Sequence, residues 1–166
     1  MTTIVATTER LVLRMWRDDD AEPFAAMNAD PEVTRFLGGP WSREASDAMM
    51  ARSRAFWDAH GYGRAVVEVD GEMVGFTGLG PHAAAPGEVE IGWRLARHVW
   101  GRGYATEAAR AMRDLAATRW GLDGLVSVAD PGNGASLGVM RHLGMTLRDE
   151  LVHEGQRVVV FHCALG

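Results

Sequence analysis

A single cysteine, Cys163, is all the thiol this chain carries. One cysteine excludes a disulfide framework within the chain and a zinc site built on cysteines. In its apolar surroundings Cys163 reads as a small buried hydrophobe. The six histidines are dispersed and form neither an HxxxH nor an HExxH pair, so no metal site is expected. No apolar run approaches the roughly 18 residues a membrane span needs. The N-terminus lacks a charged segment followed by an apolar one, so no signal peptide is expected. A soluble, cytoplasmic protein without a membrane partner follows as the expectation. Basic excess is missing too: the net charge is −5, and no basic stripe invites nucleic acid. Low-complexity tracts and internal repeats are absent.

What remains is 166 residues with 47% hydrophobic content, enough for one core and one domain over residues 1–166. Residues 9–16 read as a first strand. A run of Asp cap candidates then opens a short helix with Phe24 and Met27 inward, stopping at Asp30-Pro31. Pro31 is placed to open a second helical turn. Ser42 is an N-cap candidate for a long helix in which Ala45, Met49, Arg52 and Phe56 share a face, with Gly61 just past its end. Residues 63–69 and 72–79 flank Asp70-Gly71, a strong signal for a hairpin. Residues 88–96 alternate cleanly: Val89, Ile91, Trp93 and Leu95 on one side, Glu88, Glu90, Gly92 and Arg94 on the other.

A helix is predicted over about 105–120, with Ala108, Met112, Leu115, Ala116 and Trp120 apolar and Gly121 following. Residues 124–129 are apolar on both faces, as a covered central strand requires. A further helix spans about 134–143, capped by Asn133 and ended by Gly144, and two strands around Glu154-Gly155 close the chain. This order gives a mixed α/β domain around one sheet. The strand–helix–strand unit over 88–129 should be a crossover with its two strands parallel.

The stretch RHVWGRGYATEAARAM, residues 97–112, stands at that strand-to-helix junction. A helix N-terminus presents unpaired N–H groups and partial positive charge, and so suits a phosphate. Gly101 and Gly103 allow close backbone approach and Arg102 adds charge, but a bare turn would use the same glycines. The dinucleotide fingerprint needs a third glycine where Thr106 stands, and the Walker loop GxxxxGK[ST] is absent.

HVWGRGYATEA resembles the acyl-CoA pyrophosphate loop of the GNAT N-acyltransferase superfamily. TERLVLRMW, DDDAEPFAAMNADPEV, GYGRAVVEVDGEMVGFTGL, EVEIGWRLARHVWGRGYATEAARA and NGASLGVMRHLGM are similar, in order, to segments of its RimJ/RimL-type branch. The resemblance covers nearly the whole chain. It implies a mixed, mostly antiparallel sheet of about seven strands flanked by helices. A central parallel strand pair would splay to admit acyl-CoA. Acetyl-CoA is the implied co-substrate, with its diphosphate on the N–H groups from about Gly101 to Ala105. Trp93, Leu95, His98, Val99, Arg102, Tyr104, Thr106, Asn133 and Ser136 complete the implied cofactor site. The thioester carbonyl would be held near Leu95 and the pantetheine would lie between that strand and residues 124–129. Two departures stand out. His98 occupies the loop's usual Gln/Arg position, with Arg97 adjacent. Met140 occupies the position of the usual tyrosine acid, and the only tyrosines, Tyr62 and Tyr104, do not match it.

Acyl transfer to an amine needs a base for the amine, a donor for the thioester oxygen, and in most cases a proton for the departing sulfur. Glu90 and Glu88 are the candidate bases, against a reading as solvent-facing residues paired with arginine. Asn133 and Ser136 match the family's Asn-x-x-Ser element; Asn133 is equally a helix cap, and Ser136 could bond CoA or donate to the sulfur. Phe36, Trp41, Tyr62 and His82 are candidate walls of the acceptor cleft. Arg141 and His142 could reach the nucleotide end or simply be solvated. The expected activity is transfer of acetyl from acetyl-CoA to a primary amine by direct attack. The acceptor is a protein N-terminus in this branch, with a small amine (antibiotic or metabolite) as the competing class. A non-catalytic acyl-CoA sensor is a third reading, and a homodimer is open.

Overall fold

The computed structural model describes every residue, Met1–Gly166. The chain runs β1 (Ile4–Thr7), β2 (Val12–Arg14), α1 (Ala21–Ala29), α2 (Arg43–His60), β3 (Arg64–Val69), β4 (Glu72–Gly80), β5 (Glu90–Leu95), α3 (Tyr104–Thr118), β6 (Gly124–Ala129), α4 (Gly134–His142), β7 (Thr146–His153) and β8 (Gln156–Ala164). One eight-stranded sheet is formed, in the order β1-β2-β3-β4-β5-β6-β8-β7. Every neighbouring pair is antiparallel except β5 and β6. The expected count of about seven strands falls one short. The extra strand is β1, which precedes the predicted 9–16; within that stretch only Val12–Arg14 is strand, and a turn in which Thr8 N–H donates to Leu11 C=O at 2.9 Å lies between the two. The segment Ile4–Thr7 is short and has no alternation long enough to announce itself.

The hairpin at Asp70-Gly71 forms as expected. Both residues lie at positive φ, 50° and 84°, which is what a two-residue turn between right-twisted strands requires. Ser42 caps α2, its Oγ accepting from Ala45 N–H at 3.1 Å. The buried face of α2 is Ser46, Met49, Met50 and Ser53 rather than the predicted face of Ala45, Met49, Arg52 and Phe56. The stripe is rotated because two serines are buried in it; Ser46 Oγ accepts from Asn28 Nδ2 of α1 at 3.0 Å, whereas Ser53 Oγ is buried without a partner. A side chain that finds a polar partner inside does not need to be apolar. Past Pro31 the chain makes successive turns, with Thr34 N–H donating to Asp30 C=O, but no second helix.

Helices cover both faces. On one, Ala108, Ala109, Met112 and Ala116 of α3 pack with Leu79, Ile91, Leu95 and Met140. On the other, Phe24, Met27, Met49 and Met50 of α1 and α2 pack with Trp16, Val66 and Phe76. Each large apolar side chain fully buried here contributes about 1.5–3 kcal/mol. These two layers fix β4 and β5 rigidly, and the sheet opens just beyond them.

Candidate active site

The parallel pair meets at one register point, Glu90 opposite Val126, with Val126 N–H donating to Val89 C=O at 3.0 Å. Beyond it the ladder stops, although both strands continue to Leu95 and Ala129. Two side chains satisfy the groups the split exposes. Ser127 Oγ donates to Ile91 C=O at 2.9 Å, and the Glu90 carboxylate accepts from Val128 N–H at 3.1 Å. Peptide groups along a strand point alternately to its two edges. Ala96 N–H donates to Val74 C=O of β4 at 2.8 Å while Ile91 C=O faces β6, so Trp93 and Leu95, in phase with Ile91, turn their peptide groups toward the gap. Trp100 Nε1 takes the Leu95 carbonyl at 2.9 Å. The N–H groups of Trp93 and Leu95 are left facing open space, the places where an extended amide chain and a thioester oxygen would be received.

At the end of β5 the chain passes a short helical turn and reaches Gly101 and Gly103, at φ of 75° and 80°. The first helical donor of α3 is Glu107 N–H, bonded to Gly103 C=O at 3.1 Å. The N–H groups from Gly101 to Thr106 therefore donate to no carbonyl of the chain. Glycine at positive φ folds these donors into one concavity at a helix N-terminus, an anion cradle. The loop is held from outside by Arg10 at the turn between β1 and β2. Its Nη1 donates to Arg102 C=O at 2.8 Å, its Nη2 pairs with Glu107 at 2.6 Å, and its guanidinium lies 4.6 Å from the Tyr104 ring centre. Thr8 Oγ1 also donates to Glu107, at 2.7 Å. Arg10 and Thr8 were not among the sequence candidates. They lie more than 90 residues from the loop in sequence, and only strand pairing brings them there.

Gap, cradle and acceptor side merge into one cavity of about 840 Å³. Of the expected residues, Glu90, Trp93, Leu95, Val99, Gly101, Gly103, Tyr104, Ala105, Thr106, Asn133 and Ser136 line it, as do Phe36, Trp41, His82 and Met140. Asn133 is also the α4 cap, its Oδ1 accepting from Ser136 N–H at 3.2 Å. The remaining expected residues lie elsewhere. Glu88 precedes the strand rather than sharing its face, and is exposed in a two-pronged ion pair with Arg148 at 2.7 and 2.8 Å. His98 and Arg102 are exposed and turned away; Arg102 contributes only its carbonyl to the Arg10 clamp. Tyr62 belongs to an aromatic group with Phe56, His60 and Trp120. Arg141 lies over Phe161, and His142 uses its carbonyl to accept from Arg110.

Glu90 is 6% exposed. Burial pushes its carboxyl up to about 7, opposed by the nearby Arg64 charge and by the Val128 hydrogen bond. The same wall carries Arg64 and Arg94. Arg94 donates to Asn28 Oδ1 at 2.8 Å and sits 4.4 Å from the Trp41 ring centre; burial first, then Arg64, lower its pKa to about 10. It pairs with neither glutamate. Arg64 opens β3, and its Nη2 is 3.9 Å from Glu90 Oε1. Neither the arginine at the start of β3 nor Ser127 carries a local sequence signal. Each matters because of the strand it faces.

Comparison with known proteins agrees with this geometry. The sequence profile of the acetyltransferase (GNAT) domain matches residues 10–146. The uncharacterised protein YkkB of Bacillus subtilis is 33% identical over 147 residues, covering 83% of each chain. The uncharacterised N-acetyltransferase p20 of Bacillus licheniformis is 29% identical over 167 residues, covering 95% of this chain and 93% of its own. Among solved structures, an acetyltransferase from Agrobacterium tumefaciens superposes with a TM-score of 0.85 at 32% identity, covering 98% of this chain and 94% of its own. With its split parallel pair and its glycine cradle, the chain belongs to the GNAT acetyltransferase family, enzymes that take acetyl-CoA as co-substrate.

Proposed function

We propose that this enzyme acetylates a primary amine by direct attack on acetyl-CoA, with Glu90 as the base. The single observation that carries the reading is Glu90 itself: a buried carboxyl at the vertex of the strand split, in the same cavity as the cradle, held near pKa 7 by desolvation. In the reaction the amine nitrogen forms a bond to the acetyl carbon and the carbon–sulfur bond breaks. The ammonium proton passes to Glu90, directly or through one water, before attack; the sulfur leaves as thiolate, and the second proton lost from nitrogen as the amide forms goes to solvent or to that thiolate. The Leu95 N–H faces the thioester oxygen as it gains charge. Ser136 is one of the hydroxyls lining the cavity, one helical turn before the buried Met140, and it serves as the proton source for sulfur where one is used. A thiolate leaves readily, so methionine at the tyrosine position is compatible with turnover. The similarity to the RimJ/RimL branch supports a protein N-terminus as acceptor, whereas the charges lining the cavity support a small molecule.

The test is a pH profile. Because the base must be ionised, kcat/KM should fall below about pH 7 with a slope of one, and Glu90→Gln should lower kcat by roughly 10²–10⁴-fold. Its affinity for acetyl-CoA should stay within about threefold. The sign for stability is opposite. The folded carboxyl binds its proton more tightly than the unfolded one, so wild-type stability falls as pH rises between the unfolded value of 4.5 and about 7. The Gln protein should escape that loss and be more stable at pH 8, by on the order of 2 kcal/mol. Equal losses of kcat and acetyl-CoA affinity would sink the assignment.

A further inference from the structure

The geometry points to an acceptor that carries an anion beside its amine: a small amino carboxylate whose carboxylate is seated by Arg64 while its nitrogen faces Glu90. This rests on the reading of Glu90 as the base and narrows it to a substrate class.

The Arg64 guanidinium donates no hydrogen bond to any acceptor of the chain, and its Nε is buried without a partner. At 3.9 Å from Glu90 it is beyond hydrogen-bond reach. The side chain is 25% exposed, so the Nη donors open onto the cavity while Nε is sealed off, and a charged donor sealed without a partner is costlier than a neutral one. Its neighbours make matters worse. Arg52 and Arg94 also line the cavity, and the three lie close enough for each of Arg64's like charges to be felt. Arg94 has already committed one N–H to Asn28 and its face to Trp41. Arg35, at the mouth, lies over Phe36. The acids do not balance them. Glu32 is exposed, Asp130 accepts from Gly132 N–H at 2.7 Å in the turn before α4, and Glu90 is largely protonated below neutrality. Arg35 and Arg52 also make no hydrogen bond, but both are exposed at the cavity edge; the inward free donor is Arg64, a planar fork suited to bidentate capture of a carboxylate.

The phosphates of CoA do not account for it. Arg64 pairs with Gly78 and reaches the Glu90 end of β5, whereas the cradle follows Leu95 at the other end. Five residues of strand separate those ends by about 17 Å. Scale also fits. Glu90 and Arg64 are 3.9 Å apart, and the nitrogen and carboxylate of an α- or β-amino acid are separated by roughly 3–4 Å across their few single bonds. A polyamine is opposed, because its second ammonium would enter a wall of guanidinium groups.

The purified full-length enzyme tests this in two arms. In the first, CoA release is followed with the standard α-amino acids, β-alanine, their amides, aminomethylphosphonate, spermidine and an uncharged N-terminal peptide. An amino carboxylate should be the best acceptor, with kcat/KM at least about 100-fold above its own amide. In Arg64→Met that ratio should fall below about tenfold through KM, with Arg64→Lys intermediate and the KM for acetyl-CoA unchanged. The second arm measures binding of the same amino acids to the enzyme–CoA complex by calorimetry, where no turnover occurs. Wild type should prefer the carboxylate to its amide by tenfold or more, and Arg64→Met should erase the preference. Binding without any Glu90 dependence of turnover would overturn the base assignment and leave the anion seat standing. The seat is overturned if spermidine or the uncharged peptide is the best acceptor. It is also overturned if, at pH well above 7 where Glu90 is ionised with or without the Arg64 charge, Arg64→Met still lowers kcat equally for acid and amide and leaves their KM ratio unchanged. Preference for aminomethylphosphonate over every carboxylate would overturn the carboxylate in favour of a phosphate-type anion.

Discussion

Arg14 and Arg64 are both arginines drawn into the sheet, on the adjacent strands β2 and β3, and they are handled in opposite ways. Arg14 is 2% exposed and fully bonded. Its Nη1 and Nη2 donate to the two Asp20 oxygens at 2.9 and 2.8 Å, its Nε donates to Glu68, and Nη1 also reaches Met15 C=O. The Asp20 hydrogen bond holds its pKa above the ordinary arginine value. Arg64 has no such partners, and burial pushes its pKa down. The chain can evidently surround a buried guanidinium with acceptors when it serves only the fold. Arg64 differs in that its vacant donors open onto the cavity beside Glu90. Arg14 closes a scaffold; Arg64 lines a chamber.

The comparison breaks most readily at Arg14. Arg14→Met removes the partner of Asp20, whose side chain is 3% exposed, and should cost about 3–5 kcal/mol in urea unfolding at neutral pH. Arg64→Met removes the charge beside buried Glu90, but that carboxyl lies close to neutrality and can take up a proton instead, so the cost at neutral pH should be well below that at Arg14. Equal destabilisation by the two would mean that Arg64 is as structural as Arg14.

A smaller effect is expected at the cradle. A Cβ on Gly103 would meet only Arg10 Nη2, at an ordinary 3.5 Å, so space is not the constraint. The constraint is φ of 80°, which costs an L-residue about 1–2 kcal/mol. Gly103→Ala should relax by turning N–H groups out of the concavity, weakening acetyl-CoA about tenfold by calorimetry. Amino carboxylate binding at Arg64, at the far end of β5, should be untouched. Loss of both together would merge the two sites into one.

The sequence made the cradle legible because it is local. Gly101, Gly103 and the helix that follows are consecutive, and a glycine at positive φ leaves a mark in the chain. Glu90 was legible for a related reason, since period two fixed the residues sharing its strand face. The acceptor wall was not. Arg64 reaches Glu90 only because β3, β4 and β5 pair in sequence, and Arg10 reaches the cradle only from the turn that follows β1, a strand too short to show in the sequence. The rotated face of α2 was hidden because Ser46 and Ser53 are polar by composition but buried by contact. Periodicity assigns polarity, not partners.

The smallest effect expected is at Glu88, and it separates two carboxylates that sequence spacing made equal. Arg148 sits where the β7–β8 register shifts, between Leu147 and Asp149, and such a bulge re-aims the side chain it displaces. Here the displaced guanidinium grips Glu88 in a two-pronged pair, whose hydrogen bond is the chief reason its pKa is lowered. A carboxylate kept ionised, exposed and already occupied has little affinity for a substrate proton, unlike Glu90, whose carboxyl burial brings close to neutrality. The pair lies in water, where even good geometry contributes at most about 1 kcal/mol and salt screens it. Glu88→Gln should therefore keep kcat within about twofold of wild type and shift stability by less than about 0.5 kcal/mol, a difference that shrinks further in 1 M salt. A tenfold loss of kcat at Glu88 would instead return it to the chemistry and remove the reason for treating burial at Glu90 as the deciding feature.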